Sequence, residues 1–118
     1  MDIERSYGFI GIERELSFYN GRAVTDLPLY FYNDDDSGTS FAFTGYQSAY
    51  LRVYDSVERT YAIKNLTTQI TRNSNALVIN ASVSNMTFED GQQKYWYELG
   101  FVRSGYETPL IYGDLYVI

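Results

Sequence analysis

The chain has 118 residues, no cysteine, no histidine and a formal net charge of −6. Without cysteine and histidine, it has no thiolate nucleophile, no imidazole base and no Cys/His zinc site. The nine basic residues are scattered along an acidic chain, so we expect no nucleic-acid binding, and we predict no signal peptide and no membrane-spanning segment.

The first regular alternation of apolar and polar residues places Leu16 and Phe18 on one face of a strand and ends at the turn signal Asn20-Gly21. In the next strand Leu27, Leu29 and Phe31 are predicted to share a face. Pro28 lies inside this strand and has no N–H to donate, which favours a strand that lies at a sheet edge or begins there.

Further alternating segments follow at intervals of about ten residues, and Gly113 in the last of them predicts a bulge or bend. Such spacing is typical of an all-β chain that folds as an antiparallel β-sandwich. The residues predicted to face the core share inward positions in this alternation: Leu29, Phe31, Leu51, Val53, Leu77, Ile79, Tyr97, Leu99, Leu115 and Val117.

The length fits one domain, so we predict a single antiparallel β-sandwich of about seven to nine strands over residues 1–118. Residues 1–12 lie before the regular pattern and contain glycine-spaced apolar residues. They form either an amino-terminal arm that pairs with a neighbouring subunit or an extra strand of the same sandwich.

The stretch "GQQKYWYELGFV" at residues 91–102 contains three consecutive aromatic residues. Tyr95 follows the turn signal Asp90-Gly91, a position at which a sandwich uses a tyrosine hydroxyl to satisfy backbone groups at the corner between its sheets. We therefore interpret this strand as structural and Tyr95 as its corner residue.

The order of "SAYLRVYD", "ITRNSNALVINAS", "MTFEDGQQKYWYELGFV" and "PLIYGDLYVI" resembles the immunoglobulin-like amino-terminal module of phage upper baseplate proteins and related virion modules. The resemblance covers roughly residues 16–118. It implies an immunoglobulin-like β-sandwich that serves as a virion building block, and it names no catalytic residue. The positions that carry the closest likeness are Gly91, Tyr95, Tyr97, Glu98 and Leu99, followed by Gly113, Leu115 and Val117.

Two acidic clusters admit a chemical interpretation and a structural one. The run "NDDDSG" at residues 33–38 contains oxygen ligands suited to Ca²⁺ but lacks the spacing of an EF-hand loop, so a solvated loop is favoured. Glu89, Asp90 and Glu98 could be paired carboxylates of a glycosidase only within a cleft, which a small sandwich seldom offers.

Four tyrosines on predicted outward positions, Tyr30, Tyr32, Tyr50 and Tyr54, are the main candidates for an interface, with Trp96 as a possible addition. Ile3, Phe9 and Ile10 of the amino-terminal segment are the second set. Together with the resemblance, these two sets of residues predict a non-catalytic subunit that needs no cofactor. We expect this subunit to form a homo-oligomer and to contact other phage structural proteins in a virion assembled in the host cytoplasm. The alternative function is a carbohydrate-binding β-sandwich module.

Overall fold

The computed structural model describes residues 2–3, 12–32 and 39–118, and the side chains of residues 13–32 and 39–118. The described residues form ten β-strands and no helix. The strands are β1 (Asp2–Ile3), β2 (Ile12–Glu13), β3 (Leu16–Phe18), β4 (Val24–Phe31), β5 (Tyr46–Tyr54), β6 (Ala62–Leu66), β7 (Ile70–Asn73), β8 (Ala76–Ala81), β9 (Lys94–Arg103) and β10 (Tyr106–Val117).

The strands belong to two sheets that pack as a sandwich. The four-stranded sheet has the order β1-β4-β8-β7, and the six-stranded sheet has the order β2-β10-β9-β5-β6, with β3 also pairing with β10. The long central pairs β10–β9, β9–β5 and β4–β8 are antiparallel. The prediction of an all-β sandwich is confirmed at this level.

The core lies between the two sheets, and all ten residues predicted to face it are buried. Leu51, Leu99 and Ile111 occupy one row across three neighbouring strands. At one end of the core, Phe43 packs edge-on against Phe41 and Phe101, with ring centroids 5.0 Å apart in both pairs. Period-two alternation therefore identified the buried faces correctly.

The alternation fails at Leu27, which was predicted to face inward with Leu29 and is 36% exposed. The pairing of β4 with β8 shifts register between Val24 and Leu27, and Asp26 within this interval has a φ of 47°. Such an irregularity turns the strand, so the inward face of β4 begins only at Leu29.

Gly113 pairs regularly with Tyr97, and the register shift of β10 lies between Pro109 and Ile111 instead. The prediction of a bulge at Gly113 is therefore wrong. Gly113 has a φ of 147°, and a Cβ built there would stand 2.6 Å from the carbonyl oxygen of Arg14. A glycine is needed here because the backbone between β2 and β3 approaches β10 so closely.

Pro28 pairs with Val78 of β8, while β1 reaches only Tyr30 and Phe31 on the other side of β4. Within the described ranges, that side of β4 therefore has no strand partner at Pro28. Because no strand is paired there, the lack of an N–H in Pro28 costs no hydrogen bond between strands.

The described part of the amino-terminal segment pairs with both sheets. β1 runs parallel to β4, with Asp2 opposite Tyr30 and Ile3 opposite Phe31, and β2 runs parallel to β10. This pairing is that of an extra strand in the same domain. Phe9 and Ile10, and the acidic run at 33–38, lie outside the described residues.

Candidate functional site

The four tyrosines predicted to form one interface lie on two different sheets. Tyr30 belongs to β4 of the four-stranded sheet, and Tyr32 follows it in a bridge to Ser40. Tyr50 and Tyr54 belong to β5 of the six-stranded sheet. Because the sheets pack through their inner faces, outward side chains of β4 and β5 point to opposite sides of the sandwich. The prediction of a single tyrosine face is therefore wrong.

Tyr30 is 40% exposed, whereas Tyr50 is only 2% exposed although it lies on the outer face of its sheet. Tyr50 is opposite Gly100 on β9, where a Cβ would stand 2.8 Å from the tyrosine hydroxyl oxygen. The glycine thus provides the space in which the phenol lies against the sheet. Tyr50 is unavailable for a partner in this position, whereas a role of Tyr30, Tyr32 and Tyr54 in contacts stays a prediction.

The hydroxyl of Tyr50 donates a hydrogen bond of 2.7 Å to Glu98 Oε2. Burial, and then the hydrogen bond to Glu98, raises the pKa of Tyr50 well above its ordinary range. Glu98 also lies 3.5 Å from the guanidinium of Arg59. The phenol consequently acts as a fixed hydrogen-bond donor.

Arg52 covers Tyr50 from the solvent side, with its guanidinium carbon 4.4 Å from the centre of the ring. The same guanidinium forms a bidentate ion pair with Glu107, in which the Nη1–Oε1 distance is 2.9 Å and Nη2 contacts Oε2. The hydrogen bonds from Arg52 lower the pKa of Glu107. Arg52 therefore joins β5 to the start of β10 across the outer face. Its planar guanidinium suits both the stacking on Tyr50 and the ion pair with Glu107.

Four aromatic side chains on the same outer face are half-buried, and the three that lie together in the pairing of β5, β9 and β10 are called the aromatic strip: Tyr54, Trp96 and Tyr112. The fourth, Tyr116, lies opposite Lys94 at the end of β10. Tyr54 lies directly opposite Trp96 in the β5–β9 pairing. The rings of Trp96 and Tyr112 have centroids 5.9 Å apart and an interplanar angle of 40°. Asp114 lies opposite Trp96 on β10, with an oxygen 3.8 Å from Lys94 Nζ.

Tyr95 occupies a corner position at the start of β9, where it is buried and its ring centroid lies 4.9 Å from that of Phe88. Its hydroxyl donates to Oδ1 of Asp90, so the partner is a side chain and not the backbone group expected from the sequence. This hydrogen bond lowers the pKa of Asp90. Asp90 and Glu98 thus both accept hydrogen bonds from structural tyrosines.

Tyr97, two residues further along β9, is fully buried, and its hydroxyl donates a hydrogen bond of 2.6 Å to the carbonyl oxygen of Arg14. Burial raises the pKa of this phenol. The sequence predicted a core position for Tyr97 but not this bond, since no local pattern relates residues 83 positions apart.

A groove of about 530 Å³ lies between the edge strand β6 and the turn after β8. The groove is lined by Ile63 and Lys64 of β6 and by residues of the segment after β8: Val83, Ser84, Thr87, Phe88, Glu89 and Asp90. Lys64 Nζ lies 5.2 Å from the centre of the Phe88 ring and 3.4 Å from the Ser84 carbonyl oxygen. The alternation of apolar and polar residues could not predict this groove, because the groove joins two segments that lie about 20 residues apart in the sequence.

The part of the chain that the structure describes contains no group of three acidic side chains that could hold a metal ion, and no helix long and apolar enough to cross a membrane. Comparisons of the chain with models of protein families, with curated proteins and with solved structures found no match.

Proposed function

We propose that the chain is a non-catalytic structural component of a bacteriophage virion, built as an immunoglobulin-like module that acts through protein–protein contacts. Its place in a baseplate, tail, connector or capsid-associated layer follows from the likeness of four segments to phage virion modules. The contacts join it to further copies of the chain and to other phage structural proteins.

The strand order supports the immunoglobulin-like assignment. With β4, β5, β7, β8, β9 and β10 taken as strands B, C, D, E, F and G, the sheets contain the orders B-E-D and G-F-C, and β6 takes the place of C′. The short β1 lies on the other side of B, where strand A is expected, and runs parallel to it. Tyr95 then occupies the corner position of strand F, and Tyr97 stands where antibody domains carry their second cysteine. The buried ring of Tyr97 fills this position in a chain without cysteine.

The observation that carries the protein-contact function is the apolar surface beside β6. Strand β6 is the last strand of its sheet, and among the described residues its outer edge has no strand partner. Four large apolar side chains, which we call the β6 edge cluster, are 38% to 68% exposed: Val57 and Tyr61 in the loop that leads to β6, Ile63 in β6, and Val83, which lines the same groove as Ile63. An open strand edge beside exposed apolar side chains is typical of a surface that pairs with another chain.

The acids that could have served a hydrolase are used structurally. Glu98 accepts a hydrogen bond from Tyr50 and pairs with Arg59, and Asp90 accepts one from Tyr95. Carboxylates held in this way strengthen the sandwich instead of activating water, which supports a non-catalytic subunit.

The proposal is tested by replacing Ile63 with Asp in the purified chain and in the genome that encodes it. Tyr106, which is 78% exposed at the start of β10, provides the matched control as Tyr106→Asp. We expect the wild-type chain and the control to be present in purified virions and to form a defined oligomer in light scattering, and Ile63→Asp to lose both.

Absence of the wild-type chain from virions would overturn the virion assignment. Equal incorporation of Ile63→Asp and wild type would show that assembly uses another surface. Circular dichroism of both variants checks that the sandwich remains folded.

A further inference from the structure

The outer face of the six-stranded sheet presents an aromatic surface that the β6 edge does not use. Within the aromatic strip, Tyr54, Trp96 and Tyr112 come from three neighbouring strands, and each is half-buried. None of the three belongs to the buried core between the sheets. Part of each side chain is thus open to solvent on the outer side of the sheet.

Residues beside the strip on the same outer face are held by contacts with one another, and Arg52 also hydrogen-bonds to Tyr54 of the strip. Tyr50 lies against Gly100 and donates to Glu98, and Arg52 stacks on Tyr50 while it pairs with Glu107. Aromatic side chains on a sheet lose little conformational entropy when a ligand covers them. Stacking of a ligand on the strip would therefore cost little conformational entropy.

Charge on this face is balanced by neighbouring pairs. Arg59 lies beside Glu98, Arg52 beside Glu107 and Lys94 beside Asp114. The carboxylates keep lone pairs that can accept further hydrogen bonds from hydroxyl groups. With a chain charge of −6, an anionic ligand would be repelled, whereas an uncharged ligand rich in hydroxyls would not.

The size of the strip limits the length of the ligand that it can bind. Neighbouring strands lie about 4.8 Å apart, close to the length of one pyranose residue, so three strands cover roughly a disaccharide. The ion pairs Arg59–Glu98 and Lys94–Asp114 border the strip on both sides. A stable protein interface buries about 800 Å² on each partner. Three half-buried rings between charged pairs provide less area than this.

We propose that the aromatic strip binds a neutral oligosaccharide, whose sugar rings stack on Trp96 and Tyr112 and whose hydroxyls donate to Asp114 and Glu98. No residue of the strip belongs to the β6 edge cluster, so the proposal does not depend on the assembly function proposed above. A virion subunit with this site would combine assembly contacts with contact to a glycan.

Trp96 is the only tryptophan of the chain, so its fluorescence reports on this site directly. We would titrate the intact chain with cellohexaose, maltohexaose and chitohexaose, and with polygalacturonate as an anionic probe. At least one neutral probe should produce a saturable change in emission, and polygalacturonate should produce none. Tyr112→Ala should weaken the binding by about tenfold or more, because it removes one stacking ring.

Tyr106→Ala and Ile63→Asp, which alter other surfaces, should bind the same probe with unchanged affinity, and matched thermal unfolding should show that Tyr112→Ala is folded. No saturable change with any neutral probe would overturn the proposal, as would binding that Tyr112→Ala leaves intact. Equally tight binding of polygalacturonate would overturn the preference for a neutral ligand. A change in Trp96 emission that only virion proteins cause would assign the strip to a protein interface instead.

Discussion

Tyr50 lies across Gly100 on the outer face of the six-stranded sheet, and any side chain at Gly100 would occupy the space of its phenol. A Cβ on Gly100 would stand 2.8 Å from the Tyr50 hydroxyl oxygen and 2.3 Å from the carbonyl oxygen of Thr108. The first contact could be relieved by rotating a side chain, but the second involves the backbone of β10. This pair links the position of Tyr50 to the spacing of β9 and β10.

Gly100→Ala should therefore destabilise the domain by about 1 to 3 kcal/mol through overpacking, and it should displace Tyr50 from Glu98. Ser48→Ala, an exposed change on β5, is the control and should stay within about 0.5 kcal/mol of wild type. Urea unfolding measures both. A Gly100→Ala variant as stable as the control would show that β10 adjusts to the added methyl group.

Leu51 and Leu99 are directly paired and fully buried in the centre of the core. Truncating either one to Ala should lower the free energy of unfolding by about 2 to 5 kcal/mol, because it removes buried methyl groups and leaves a cavity. Ile63→Ala, at a site that is partly exposed, should cost less. Denaturant unfolding provides the comparison, and a loss below about 1 kcal/mol would place the truncated leucine outside the core.

The Arg52–Glu107 pair should make stability depend on pH in the acid range. Hydrogen bonds from Arg52 hold the pKa of Glu107 in the folded protein below its ordinary value of 4.5. The stabilisation is therefore complete above the unfolded pKa and is lost as the pH falls through the folded pKa. The urea midpoint of Glu107→Gln should lie below that of wild type at pH 7, and the difference should shrink towards pH 3.

Glu58→Gln, in the exposed loop between β5 and β6, is a control that removes an acid away from this pair. Its urea midpoint should follow that of wild type at each pH. A Glu107→Gln variant with a constant offset from pH 7 to pH 3 would contradict the role of the ion pair.

Deleting residues 1–12 removes β1 and the first residue of β2 but leaves β3 to β10 and every described core residue. We expect the shortened chain to fold, because the core begins at Leu16. The sequence predicts assembly contacts for Ile3, Phe9 and Ile10, so the shortened chain should also fail to assemble or to join virions. Circular dichroism and light scattering measure the two properties separately. Normal assembly would remove the assembly role predicted for Ile3, Phe9 and Ile10, whereas unfolding would show that the sandwich needs the pairing of β1 and β2 for its stability.

The sequence by itself determined the buried faces of the strands. Alternation has a period of two along any strand, so it reveals which residues share a face without knowledge of the neighbouring strands. Leu51 with Val53, and Leu115 with Val117, were placed correctly for this reason. The turn at Asn20-Gly21 was also predictable, because Gly21 adopts a φ of 74° that glycine accommodates readily.

Only the tertiary structure decided which outward residues lie together. Alternation assigns Tyr30 and Tyr50 to outward positions but contains no information on the sheet to which each strand belongs, and their strands lie in different sheets. Tyr50 is buried by a glycine 50 residues away, and Trp96 meets Tyr112 through the register of β9 and β10. Contacts across strands depend on pairing and register, which arise from the packing of the whole sandwich and not from any local pattern.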